Sequence, residues 1–497
     1  MSPHEQPSVA ESLVPDIADR LAGRHPTVVV LGDAVLDVWM WGRSDRLCRE
    51  APVPVVDVRS TSYLPGGAAN TAANIAALGA QVRLVSLAGS DERGARLREA
   101  LRRSRVDTTH VRAAAAPTVA KCRVVAADQI VVRFDQDAGA PTDPGDAERV
   151  VEALPAALDG ADALVVCDYD GVLGERVREA LAARRGELPL LIVDTHHPER
   201  WASLHPDVVT PNAEEATRVL GMPPAEPGES RADWIDRHRG QLFEATGARA
   251  IVVTLDRDGA VLLQGDRPMH RTWAEPVPDS QSPGAGDTFV AALTLALLGG
   301  LPSTAAVEVA QAAADVVVHR TGTSMCSTSE LRDRLSRSAG AVLSERDLAT
   351  VIAHQRAAGK RIVFTNGCFD VLHAGHIAYL NEAKRLGDVL VVAVNSDRSV
   401  RKLKGPDRPV NPEHERAAML AALSCVDHVT IFDDDTPAAV LRTTRPDLYV
   451  KGGDYRPEML PEAPIVAGYG GEVRVLSYLA DHSTSAVIER IRSGASS

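Results

Sequence analysis

Lysine is nearly missing from this chain. Only six of its 54 basic residues are Lys (121, 360, 384, 402, 404 and 451), and the other 48 are Arg. In a chain that writes generic positive charge as Arg, each Lys marks a position to inspect. Positive charge is also in deficit: 54 basic residues face 67 acidic ones, a net charge of −13. That balance excludes nucleic acid or an anionic membrane as the main partner. The six cysteines (48, 122, 167, 326, 368 and 425) contain no C-x-x-C pair and no regular framework, which fits a reducing compartment. The N-terminus lacks a basic stretch followed by an apolar core, so no signal peptide is expected. The longest apolar run, Phe289 to Leu298, falls short of the about 20 residues that span a bilayer. These absences predict a cytoplasmic protein. What is present is a chain of 497 residues, 45% hydrophobic and 24% charged. At roughly 100–200 residues per domain this gives two to four ordered domains.

Short apolar runs recur after a polar extension over residues 1–25. They are TVVVLGD (27–33), ALVVCD (163–168), LLIVD (190–194), DVVTPN (207–212) and AIVVTL (250–255). Each is too short for a helix, rich in Val, Ile and Leu, and ends in a polar residue. Continuous apolar character means burial on both faces, as in a parallel sheet covered by helices. Ligands of such sheets sit beyond the carboxyl ends of the strands, where these polar residues fall. Residues 51–59, which contain Pro, and 119–134 alternate more, and predict a smaller, partly exposed sheet acting as a lid. A second series begins at RIVFTN (361–366), followed by a helix over about 375–386 and DVLVVAVNSD (388–397). TIFDD (430–434), LYVKGG (448–453) and EVRVLSY (472–478) continue it. The expected architecture is therefore α/β in two domains, 26–335 and 346–497, joined by a linker at 336–345.

The first constellation centres on Gly284-Ala285-Gly286-Asp287, which opens an apolar helical run. Two glycines let backbone N–H groups converge, and the helix N-terminus adds positive potential, forming an anion hole. A carboxylate there can take the proton of a hydroxyl that attacks a phosphoryl group. The same string also fits a Gly-rich turn with Asp287 as helix cap. Pro65-Gly66-Gly67-Ala68-Ala69-Asn70 offers a close-approach backbone ending in an amide for sugar hydroxyls. Asp33 and Asp37 close the first buried strand and can accept from a polyol, or Asp33 can cap. Asn212 and Glu215, three apart in Asn212-Ala213-Glu214-Glu215, can organise Mg²⁺ through its waters or form a capping box.

The second constellation is Gly367-Cys368-Phe369-Asp370-Val371-Leu372-His373-Ala374-Gly375-His376, between a strand and a helix. His373 and His376, three apart at a helix start, project from one face. Two imidazoles and a helix N-terminus suit the charge on a nucleotide's phosphates during in-line displacement. Zinc held by Cys368, His373 and His376 is the alternative, although that spacing fits no standard site. Arg401, Lys402 and Lys404 form a flexible basic loop that can fold over a triphosphate, or a solvated charge run. Lys451-Gly452-Gly453-Asp454 ends another strand, and His482-Ser483-Thr484-Ser485 opens a last helix.

Over about 300 residues the first set resembles the ribokinase-like carbohydrate kinases: G-D at 32–33, P-G-G-A-A-N at 65–70, N-A-E-E at 212–215 and G-A-G-D at 284–287. VTLDRDGAVLL (253–263) is similar to that family's nucleotide-side hairpin, which places Thr254 and Gly259 near the nucleotide. The resemblance implies an α/β/α sandwich with a β lid and transfer of the ATP γ-phosphate to a sugar hydroxyl. Asp287 would be the base and the amides of Gly284, Ala285 and Gly286 the anion hole. Asp33, Asp37, Gly66, Gly67, Asn70 and Lys121 would hold the sugar, and Asn212 and Glu215 would serve Mg²⁺. Its lid strands imply a homodimer through the kinase domain. Three positions depart from the pattern. Gln281, Ser282 and Pro283 replace an Asp/Asn and a Thr, and no lysines stand at Asp170-Gly171 or Thr195-His196-His197.

The second set resembles the cytidylyltransferase-like nucleotidyltransferases, which implies a Rossmann-like domain binding ATP. Asn366, Gly367, Phe369, Asp370, Lys404, Lys451, Asp454, Ser483 and Thr484 would then contact nucleotide or phosphate. His373, His376 and Lys402 would be catalytic. Both halves in this order resemble the bifunctional heptose-7-phosphate kinase/heptose-1-phosphate adenylyltransferase family. A phosphatase must act between the two steps, and no third domain is available for it. Two other readings remain open: a transferase using CTP or another polyol phosphate, and a kinase-like half that only binds or dimerises.

Overall fold

The computed structural model describes residues 17–127, 129–138, 143–169, 171, 173–226, 229–274, 283–320, 322–339, 342–452 and 460–476. The apolar runs of the first half form a nine-stranded sheet. From one edge its strands are His270–Thr272, Ala260–Leu263, Ala250–Thr254, Val208–Val209, Leu190–Thr195, Ala163–Asp168, Thr27–Gly32, Gln81–Ala88 and Val111–Ala113. All neighbours are parallel except the two antiparallel steps at the His270 edge. Val28, Val30 and Val165 face one buried cluster and Val29, Leu31 and Val166 face another. The sheet is thus a middle layer between helices, which explains its unbroken apolar strands.

The lid is a four-stranded sheet of Pro54–Gly67, Ala34–Leu47, Ala120–Ala126 and Gln129–Gln136. Three of its strands cover the expected segments. Ala34–Leu47 was not expected, because its inner half is buried at successive positions, apolar apart from Asp37, and lacks the alternation that marks a half-exposed strand. Asp37 consequently lies in the lid and not at the end of the first buried strand. The second half carries a six-stranded, wholly parallel sheet in the order Val342–Leu343, His428–Phe432, Val389–Asn395, Ile362–Gly367, Leu448–Gly452 and Glu472–Leu476.

Two boundaries shift. Residues 336–345, expected as a linker, hold the end of the Thr328–Ala339 helix and the Val342–Leu343 strand, which joins the second sheet. The expected extension 1–25 contains a helix, Ile17–Gly23, whose Ile17, Ala18 and Leu21 are buried in the kinase-side core. Asp19 on its outer face pairs with Arg332 at 3.2 Å. Polar residues outnumber apolar ones there, but the few apolar residues share one helical face.

The two halves are packed against each other. The backbone N–H of Arg271 donates to Asn381 Oδ1 at 3.3 Å, and that of Trp273 to Ser424 Oγ at 3.0 Å. Ser424 N–H in turn donates to Glu308 Oε2 at 3.1 Å, and Asp233 pairs with Arg385. A cavity of about 1050 Å³ lies between them, lined by residues such as Arg271, Asp315, Lys384 and Asp427. The six cysteines are free. Among the described residues no helix is long and apolar enough to cross a membrane. The buried face of the first helix generates a test. Leu21→Ala opens a void where its Cδ2 packs against Gly299 and should cost the kinase half about 2–5 kcal/mol in urea unfolding. An unchanged midpoint would show that the helix contributes nothing to that core.

Candidate functional site

The carboxyl ends of the central strands bring four carboxylates together around the G-A-G-D turn. Gly284 has φ +89°, and a Cβ there would lie 2.8 Å from Asn70 Nδ2, so only glycine fits the turn. Asp287 sits in the first turn of the Ala285–Leu298 helix. Its Oδ2 accepts from Asn70 Nδ2 at 2.6 Å and its Oδ1 from Thr71 Oγ1 at 3.1 Å. The dense surroundings push the Asp287 carboxyl up to about 7; hydrogen bonds from Asn70 and Thr71 oppose the shift, while the charges of Asp194 and Asp37 add to it. A carboxylate tuned near neutrality is suited to general-base work. Asn70, expected to hold sugar, here holds the base.

The other expected sugar residues are engaged with protein. Asp33 Oδ2 accepts from the backbone N–H groups of Tyr169 at 2.8 Å and Gly171 at 3.0 Å. Asp37 is buried, accepting from Arg123 Nη1 at 3.0 Å and from Thr323 Oγ1 at 2.6 Å. Gly66 packs on that carboxyl group, and Gly67 pairs with Ala34 at the base of the lid. Lys121 pairs in register with Asp37 on the adjacent lid strand, so its backbone is at the site. Asp37 is therefore an anchor of the lid, with both oxygens committed.

Asn212 and Glu215 form the capping box: Asn212 Oδ1 accepts from Glu215 N–H at 2.9 Å and Glu215 Oε2 from Asn212 N–H at 2.8 Å. Glu215 Oε1 lies 2.6 Å from His196 Nδ1. These oxygens keep spare lone pairs for metal-bound waters, so the pair fits water-mediated Mg²⁺ and not direct ligation. Thr254 N–H donates to Pro211 O at 3.0 Å, and Gly259 O closes a turn with Leu255 N–H at 2.7 Å. Both shape the sheet edge beside Asn212. Gly286 is exposed and Ala285 half-buried at the mouth of the turn.

Two residues marked by no motif complete this cleft. Tyr169 follows the strand Ala163–Asp168 and Asp194 lies near the end of Leu190–Thr195, and the Tyr169 hydroxyl lies 2.6 Å from Asp194 Oδ2 and 3.4 Å from Asp287 Oδ1. Burial raises the Asp194 carboxyl above its ordinary value and the Tyr169 phenol well above its own. Their one sequence signal is position at a strand's carboxyl end. Gln281, Ser282 and Asp170 lie outside the described residues. His196 occupies one lysine-lacking position, its ring 5.3 Å from that of Tyr169.

In the second half His373 is the N-cap of the Ala374–Arg385 helix. Its ring lies 3.9 Å from that of His376, which lies 5.4 Å from Phe369. Burial, then the neighbouring His373 and Lys404, hold His376 down at about 3, so it is neutral at pH 7. Asn366 Oδ1 accepts from Lys451 Nζ at 2.9 Å and Tyr449 OH at 2.8 Å. Burial also lowers Lys451. Gly367 lies against the Phe369 ring.

Two expectations are corrected here. Asp370 is buried; its carboxylate pairs with Arg408 and accepts from Val410 N–H at 2.6 Å. It braces the loop and is closed to a phosphate. Lys402, expected as catalytic, is paired with Asp435 at the surface, on a helix, Asp397–Lys404, where a flexible basic loop was expected. Asp454, Ser483 and Thr484 lie outside the described residues. Among the described residues no three His, Cys, Asp or Glu side chains are placed to hold a metal ion.

Comparison with known proteins matches the two halves of the chain. Residues 25–330 match the pfkB family carbohydrate kinase model, and 364–490 the cytidylyltransferase-like model. The bifunctional protein HldE of Hahella chejuensis is 39% identical over 476 residues, covering 94% of this chain and 97% of that protein. HldE of Alkalilimnicola ehrlichii is 41% identical over 472 residues, with the same shares. Phosphofructokinase-2 from Escherichia coli, solved in complex with substrates and products, aligns with 63% of this chain and 99% of its own at TM-score 0.52 and 20% identity, a likeness of fold.

The depressed His376 has a pH consequence. Between about pH 3 and 6.5 the unfolded chain, with an ordinary imidazole, binds a proton that the folded chain refuses. Stability is therefore lost as pH falls through that window, with a slope of at most about 1.4 kcal/mol per pH unit. His376→Gln should flatten the slope between pH 6.5 and 4.5 in urea titrations; an unchanged slope would contradict a neutral, buried His376.

Proposed function

The chain belongs to the bifunctional HldE family, in which a pfkB-type carbohydrate kinase precedes a cytidylyltransferase-like domain, and from this we propose how its two sites divide the work. The N-terminal half phosphorylates heptose 7-phosphate at O1 with ATP. The C-terminal half transfers AMP from ATP to heptose 1-phosphate, giving ADP-heptose and pyrophosphate. A separate phosphatase removes the 7-phosphate in between.

The observation that carries the kinase reading is Asp287, a carboxylate poised near neutrality at a glycine-lined helix N-terminus. Deprotonated, it takes the proton of the sugar hydroxyl as oxygen attacks the γ-phosphorus. The N–H groups of the 284–286 turn accept the charge developing on the phosphoryl oxygens. Asn212 and Glu215 would hold Mg²⁺ by way of its waters, and the ion would supply neutralisation of phosphate charge. In the transferase, His373 and His376 face the triphosphate from the helix start. A neutral imidazole donates a hydrogen bond, and arriving phosphate charge favours its protonation. Lys404 and Lys451 supply fixed positive charge, Lys451 positioned by Asn366. The protein works in the cytoplasm on small sugar phosphates and ATP.

We also propose that the lid sheet pairs two copies. Val132 and Phe134 alternate along the edge strand Gln129–Gln136 and share a face; Val132 is 47% exposed and Phe134 42%. Exposed apolar side chains on an unpaired edge strand favour association.

Two experiments follow. Asp287→Asn should lower phosphorylation by about 10²–10⁴-fold while sparing adenylyl transfer, and His376→Ala should do the reverse. Loss of both activities from either change in a folded chain would overturn the two-site assignment. Val132→Lys with Phe134→Lys should convert a dimer to a monomer in light scattering at micromolar concentration. A dimer that survives both charges would move the interface elsewhere.

A further inference from the structure

Tyr169 touches three of the four clustered carboxylates. Its backbone N–H donates to Asp33, and its hydroxyl lies between Asp194 and Asp287. A phenol has one hydrogen and two lone pairs. The 2.6 Å contact to Asp194 takes the hydrogen, so a lone pair is left toward Asp287 at 3.4 Å. An acceptor facing a carboxyl group disfavours its anion and welcomes its acid. Asp194 is held for this task, since Thr210 Oγ1 also donates to it at 2.8 Å. The ring is fixed in turn against Gly67 and His196.

We propose that Tyr169 is a positioning residue of the phosphoryl transfer, its hydrogen committed to Asp194 so that its oxygen receives the protonated form of Asp287. The inference rests on Asp287 being the base. In the step, the sugar O–H proton passes to Asp287 as the new O–P bond forms. The bond from the γ-phosphorus to its bridging oxygen breaks, and ADP leaves. Tyr169 keeps its own hydrogen on Asp194 throughout and accepts the new Asp287 O–H. The other ionisable groups facing this cluster are Asp33, Asp37, the Cys167 thiol, His196 and Glu215. Except for Asp287 and Asp194, these groups are unchanged in the variants below, so differences between them isolate the Tyr169–Asp194 pair.

Tyr169→Phe in the full-length chain removes the hydroxyl and keeps the ring. With heptose 7-phosphate and ATP, kcat of phosphorylation should fall about tenfold while both KM values stay within about twofold. The acid limb of kcat/KM, expected near pH 7 from Asp287, should move about half a pH unit lower, because the protonated base has lost its acceptor. Asp194→Asn should move the limb in the same direction and further, because it also removes a neighbouring negative charge, and the double variant should add no shift beyond that of Asp194→Asn. Adenylyl transfer by the same preparation should be unchanged, which reports a folded chain. A wild-type kcat and acid limb in Tyr169→Phe, or a loss confined to KM, would overturn the proposal. Asp287→Asn is measured alongside: if it still phosphorylates, the base assignment itself fails, a distinct result.

Discussion

Four carboxylates, Asp33, Asp37, Asp194 and Asp287, gather at the carboxyl ends of one parallel sheet and the base of its lid. Like charges in a dense surrounding repel, and each needs donors or a proton to remain there. The chain answers each one differently. Arg123 neutralises Asp37 in a buried pair; backbone N–H groups serve Asp33; Tyr169 and Thr210 serve Asp194. Asp287 receives two neutral side-chain donors, Asn70 and Thr71, while burial and the nearby charges of Asp194 and Asp37 raise its carboxyl to about 7. It is the carboxylate left poised to take a proton. Much of the kinase half, lid included, can be understood as the arrangement that keeps the other three satisfied.

The transferase half solves the opposite problem, keeping positive charge usable. Arg416 is fully buried and ties three loops, donating to Cys368 O, Asn411 O and Asp397 Oδ1. With Arg408 braced on Asp370, it shapes the strand–helix turn that carries the two histidines. These guanidiniums are structural, fork-shaped donors matched to several acceptors at once. The scarce lysines divide more unevenly than their number suggests. Lys451 points at Asn366 within the site, Lys384 is buried on Asp427 between the halves, and Lys402 is spent on Asp435.

The central strands were legible because burial on both faces writes itself as unbroken Val, Ile and Leu. The glycine strings at 65–67 and 284–286 were legible because close backbone approach admits few other residues. Long-range pairing was not. Asp370 read as a phosphate contact until Arg408, 38 residues away, was seen to claim it. Asn70 read as a sugar ligand, although it reaches across 217 residues to the base. Tyr169 and Asp194 carried no motif, since a single polar residue at a strand end is common to every such sheet. The first helix escaped because seven residues with three buried positions give too weak a period to stand alone.

Gly171 shows how such a cleft constrains its own history. A Cβ at this position would fall 2.3 Å from Asp33 Oδ1, so no side chain fits while Asp33 keeps its place. It is one of the positions where related kinases are expected to carry a lysine toward the substrate's phosphate. A lysine there would require the Asp33 carboxylate to turn aside, and that carboxylate holds the backbone N–H groups of Tyr169 and Gly171 itself. The absent cation and the anchored loop are thus two sides of one local arrangement.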